Sequence, residues 1–100
     1  MIKYEQGDIL KVEGITRRLL VVSNNTFNMA GMAMCCPLYS DIGRHPLHIR
    51  IDTADNEKYI APIEQTKLVD ISSRGYMAVS RIGYSDLMNV SDALQALFEY

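Results

Sequence analysis

A chain of 100 residues with 48% hydrophobic and 22% charged residues has the composition of one globular domain, 1–100, large enough for a single core. Its formal net charge of −2 excludes a broad, non-specific polyanion binder while leaving room for a local basic patch. No apolar run approaches the ~18 residues of a membrane span, and Met1–Gln6 lacks the basic and apolar regions of a signal peptide, so the cytoplasm is the expected compartment.

Gly7 to Val12 opens with turn chemistry and reads as a first strand. Glu13-Gly14-Ile15-Thr16 is a tight turn in which Gly14 supplies any positive φ. Arg17-Arg18-Leu19-Leu20-Val21-Val22-Ser23 returns as the antiparallel arm of a hairpin. Its four consecutive apolar residues, stopped by Asn24-Asn25, predict a central strand covered on both faces, with Arg17 and Arg18 at its mouth. Residues 24–30 form an irregular connection carrying Phe27, and Gly31 to Tyr39 is a third strand. Pro37 near its end marks an edge or a bulge, because proline cannot donate to the ladder.

Cys35 and Cys36 are adjacent and cannot close a useful loop; successive strand residues point to opposite faces. They read as two small buried hydrophobes in a reducing compartment. A metal site needs further ligands at suitable spacing, and no pattern links the only histidines, His45 and His48, to the cysteines.

After a loop at Ser40–Arg44, Pro46 to Ile51 alternates. Leu47, Ile49 and Ile51 face inward and His48, Arg50 and Asp52 outward, as in a half-buried antiparallel strand. Thr53–Asn56 is a turn, Lys58–Ala61 and Thr66–Ile71 are short strands separated around Pro62, and Tyr76–Ile82 follows a turn at Ser72–Gly75. The period then changes. Leu87, Val90, Leu94, Leu97 and Phe98 fall on one helical stripe, with Ser85 as N-cap and Asp86 at the positive end of the helix dipole. Many short strands and one terminal helix predict a mainly β (β+α) fold: a small β-barrel of about six to seven strands closed by a C-terminal α-helix.

Taken in order, Gly7-Asp8-Ile9, Arg17 through Ser23, Gly31 through Ser40, Pro46-Leu47-His48-Ile49, Glu64 through Asp70 and Arg74-Gly75 resemble the successive motifs of the MazF/PemK/Kid family of toxin endoribonucleases. The resemblance spans most of the chain. It implies an SH3-like barrel that forms a homodimer, is neutralised by a cognate antitoxin, and cuts single-stranded mRNA without a metal or cofactor. It also implies site residues. Arg17 would stabilise charge on the phosphate, for which a planar guanidinium fork is suited. Ser40 or Tyr39 would hydrogen-bond the phosphate, Glu64 would be the base, and Gln65 would grip a nucleotide. Arg18 would steer RNA towards the groove. His48, outward on its strand with an ordinary pKa near 6.5, is a candidate RNA contact or general acid.

Some positions depart from the family pattern. Its long first loop is reduced to Glu13–Thr16, Arg18 stands in place of a proline, Tyr39 in place of an assisting threonine, and Pro62 in place of a second arginine. Met32, Met34, Cys36, Leu94, Leu97 and Phe98 are the candidate dimer contacts. Two other classes share the barrel. One is a CcdB-like poison that jams DNA gyrase through the terminal segment Leu94–Tyr100; the other is an inactive adapter, for which the short first loop speaks.

Overall fold

A computed structural model describes residues 3–99. The elements run β1 (Asp8–Val12), β2 (Leu19–Val21), α1 (Asn25–Asn28), β3 (Met32–Pro37), β4 (His48–Asp52), β5 (Lys58–Pro62), a 3-10 turn (Ile63–Gln65), β6 (Lys67–Asp70), β7 (Tyr76–Arg81) and α2 (Tyr84–Ala96). Five strands form an antiparallel sheet in the order β6-β3-β2-β1-β7, and β4 pairs with β5 in a separate hairpin. Isolated bridges, Tyr39 to Ile60 and Thr53 to Ile82, connect the two sheets. The mainly β class, the strand number and the terminal helix are as expected. The ladder itself is two sheets leaning together rather than a closed barrel.

The sheet is covered on both faces because its central strand alternates apolar residues without a polar break. Leu19, Leu20 and Val21 are fully buried. Leu20 joins Ile9, Cys36, Ile51, Ala61, Ile63, Ile82 and Val90 in a core under the β4–β5 hairpin and α2. Leu19 and Val21 join Tyr4, Leu10, Val12, Ala33, Cys35 and Ile71 in a second core on the opposite face. The adjacent cysteines divide in the same way, one into each core, and both thiols are free. Burial pushes each thiol up to about 12. Cys36 is therefore a core residue and no part of a dimer contact, whereas Met34 and Leu94 lie half-buried at the core's rim.

Several local expectations change. Pairing of β1 with β2 begins at Leu10–Leu19, so Arg17 and Arg18 precede the strand and belong to the connection. Gly14 does turn that connection, at φ 81°. Residues 24–30 are not irregular. The Asn24 side chain accepts the Phe27 N–H at 2.9 Å and caps a one-turn helix. Pro37 ends β3 past the last β6 pair at Cys35, where β3 has lost its neighbour on that side.

Helix α2 starts two residues early, with Gly83 and not Ser85 as its N-cap. The chain leaves β7 at Arg81 and turns at once, so the Asp86 carboxylate falls in the first turn and accepts the Asp52 N–H of β4 at 2.9 Å. Val90 and Ala93 are buried and Leu87 and Leu94 pack against the same core, but the stripe then runs out. Leu97 is the C-cap and Phe98, beyond it, is 83% exposed. Tyr100, the end of the predicted terminal segment, lies outside the described residues, as do Met1 and Ile2. No helix among the described residues is long and apolar enough to cross a membrane.

Candidate functional site

The short connection between β1 and β2 delivers Arg17 onto Tyr39. Its guanidinium carbon stands 3.7 Å from the centre of the Tyr39 ring, a cation–π stack. Tyr39 is fixed from behind by two backbone bonds to β5, Tyr39 N–H to Ile60 O at 3.0 Å and Ile60 N–H to Tyr39 O at 2.7 Å. From the front its hydroxyl donates to Gln65 Oε1 at 2.7 Å. Gln65 and Glu64 share the 3-10 turn that follows Pro62. Glu64 Oε2 in turn lies 2.9 Å from His48 Nε2, and the opposite ring nitrogen, Nδ1, donates to Gly43 O at 2.6 Å. The polar row His48–Glu64–Gln65–Tyr39–Arg17 is thereby contiguous.

His48 sits directly across the β4–β5 ladder from Pro62, the position at which the family pattern places a second arginine. Expected to point freely outward, its side chain is instead only 15% exposed. The Glu64 hydrogen bond, then the Gly43 carbonyl, raises its pKa. At Glu64 burial acts upward, but the hydrogen bond from His48, one from its own backbone and the histidine charges together outweigh it and hold the carboxyl below its ordinary value. The two shifts agree: the pair favours imidazolium beside carboxylate.

An open cleft of about 520 Å³ begins beside His48 and is lined by Gly43, Arg44, His45, His48, Arg50 and Ile60, among others. Three of its charged or titratable residues, Arg44, His45 and Arg50, were not among the site candidates read from the sequence. Arg50 was legible, since it shares the face of His48 in the alternation of β4. Arg44 and His45 were not, because a loop of no fixed period places them.

Two expected site residues lie apart from the row. Ser40 is exposed and lines a different cleft with Asp41, Arg50, Asp52 and Lys58. Arg18 is half-buried, with its carbonyl accepting the Leu38 N–H at 3.0 Å. Its charge acts on Asp55, a carboxyl already lowered by hydrogen bonds from Thr53 and Ser80. The hydroxyl-bearing side chain beside Arg17 is therefore that of Tyr39, while Ser40, one residue on, lies with residues of β4 and β5.

The family of PemK-like, MazF-like toxins of type II toxin-antitoxin systems matches residues 5–98. The chain belongs to this family. Among solved structures it is similar to MazF in the MazE-MazF complex from Deinococcus radiodurans, with a TM-score of 0.85 and 18% identity over 98% of both chains. A second crystal form of that complex gives 0.84 at 18% identity, over 98% of this chain and 97% of the other. MazF from the same organism in a structure of its own gives 0.82 at 17% identity over 98% of each. At such identities the likeness establishes the fold. A comparison with curated proteins gives no match.

Proposed function

We propose that this member of the toxin family is an endoribonuclease that cuts single-stranded RNA without a metal, and that the row His48–Glu64–Gln65–Tyr39–Arg17 is its site. The observation that carries this reading is the junction of a carboxylate paired to an imidazole with a guanidinium stacked on a tyrosine, linked through Gln65. RNA supplies its own nucleophile. The second oxygen of Glu64 takes the 2′-hydroxyl proton, O2′ bonds to phosphorus, and the bond to O5′ breaks. The products are a 2′,3′-cyclic phosphate and a 5′-hydroxyl, whose proton comes from solvent around the exposed Arg17. His48, held between Glu64 and Gly43, keeps the carboxylate ionised and oriented. Arg17 stabilises charge on the non-bridging oxygens as it develops. Gln65, its oxygen already taken by Tyr39, turns its two amide N–H donors to a base edge. Recognition of unpaired bases fits a single-stranded substrate, since an A-form duplex hides its major groove.

The natural regulator is an antitoxin whose acidic, disordered segment folds over Arg17 and the cleft carrying Arg44 and Arg50. Incubating the purified protein with a mixed RNA pool and a chelator tests the activity. Fragments ending in cyclic phosphate are the expected result; no cleavage, or cleavage that requires added magnesium, overturns the reading. One feature favours a gyrase-poison reading, the exposed Phe98 at the end of α2. It predicts toxicity indifferent to Arg17→Ala and lost on removing the residues after Ala96. An inactive adapter predicts unhindered growth when soluble protein is expressed without a partner.

A further inference from the structure

We propose that His45, His48 and Glu64 form a binding site for a divalent first-row transition ion, zinc being the simplest case, and that the ion switches the row off by occupying it. One nitrogen from each imidazole and one oxygen of Glu64 lie within 4.8 Å of one another. Ligands on a common tetrahedral zinc sit roughly 3.4 Å apart, from metal–ligand bonds of about 2.0–2.2 Å. Side-chain rotation closes the difference.

His48 is already set as a ligand. Gly43 O can only accept, so Nδ1 carries the hydrogen of that 2.6 Å bond. In neutral imidazole this leaves a lone pair on Nε2, aimed at a carboxylate oxygen 2.9 Å away. Two acceptors at that separation require a cation between them, a proton or a metal ion. A backbone carbonyl on the far ring nitrogen is also the partner that orients metal-bound histidines.

His45 is brought in by a turn. Pro46 and Leu47 form its corner, His48 N–H donates to His45 O at 2.9 Å, and the two ring centres stand 5.1 Å apart. The His45 ring is exposed, and Leu47 N–H donates to its Nδ1 at 3.1 Å, a hydrogen bond that ligation can replace. Two imidazoles and one carboxylate suit zinc, nickel or copper. Arg44 and Arg50 line the same cleft and oppose a dication, which makes binding reversible rather than structural. Cys35 and Cys36 are fully buried and do not compete for the ion.

Binding does not depend on the nuclease reading; the switching does. The test is calorimetric titration of the intact chain with zinc chloride, followed in parallel through its two histidine ring signals by NMR. The chain has only these two histidines, so the spectrum reports this site and no other. One ion per chain is expected, with both rings shifting together. His45→Asn and Glu64→Gln should each weaken binding at least about tenfold. Asparagine keeps an acceptor for the Leu47 amide on an exposed turn, so the fold is not at risk. No saturable binding, or equal affinity in His45→Asn, overturns the site. Zinc should suppress RNA cleavage and a chelator restore it; cleavage by the zinc-loaded protein at full rate overturns the switch. Zinc binding by a protein that never cuts RNA leaves the site standing and overturns the nuclease reading.

Discussion

Arg17 is exposed, so its stack on Tyr39 contributes only about 0.5–1 kcal/mol to folding. Its value lies in aiming a charge. Arg17→Ala should lower RNA cleavage on the order of 10²–10³-fold, the usual cost of one preorganised donor, with little change in melting temperature. Arg17→Lys should recover part of the rate, because an ammonium neither forks to a phosphate nor lies flat on a ring. Initial rates on one RNA, set beside thermal melts, check both. The two thiols make the opposite case. Fully buried and pushed up to about 12, Cys35 and Cys36 should resist a thiol reagent in the native protein and react together on denaturation. Fast native reaction of either one would contradict its place in the core.

Among the elements, β2 bears the most on stability, since each of its three residues is buried between neighbours on both sides. Leu20→Ala should cost about 2–5 kcal/mol, read from urea unfolding. Gly31, between α1 and β3, has φ of 85°, and a Cβ there would lie 2.7 Å from Ser72 Oγ. Gly31→Ala should destabilise by on the order of 1–3 kcal/mol. A Cβ added at Gly43 would meet open space, and Gly43→Ala should stay within about 0.5 kcal/mol. A neutral Gly31→Ala would show that the connection into β3 relaxes freely.

For the whole molecule, the apolar end of α2 is the face on which self-association is to be tested. Leu97 and Phe98 are exposed and line a groove of about 310 Å³ with Val22, Met34, Ile63 and Leu94, Glu64 and Thr66 standing at its polar side. We expect a two-fold homodimer through this face, the commonest closed arrangement. Light scattering should show twice the chain mass for the protein and a single chain for Phe98→Asp. A monomeric wild type would remove the dimer.

Much of this molecule was legible one residue at a time. Leu19–Val22 declared a strand buried on both faces, because an uninterrupted apolar run leaves no side for water. Adjacent cysteines declared opposite burial, because strand residues alternate. The order of motifs declared the family. What stayed hidden depended on contacts between distant segments. Arg17 reaches Tyr39 only because the β1–β2 connection folds over the end of β3. Ser40 was expected beside Arg17 and instead lines the cleft with Arg50, Asp52 and Lys58, one residue beyond the Tyr39–Ile60 bridge. Ser85 looked like a cap, but the helix begins where β7 lets the chain turn. His48 was a candidate from its outward place on the strand, but only the fold aligned it with Pro62 and brought Glu64 to its ring. Period and composition are properties of neighbours in the chain, so the sequence by itself determined most of the strands, the terminal helix, the burial of β2 and the family. A site is a property of neighbours in space, and only the tertiary structure decided which charges meet.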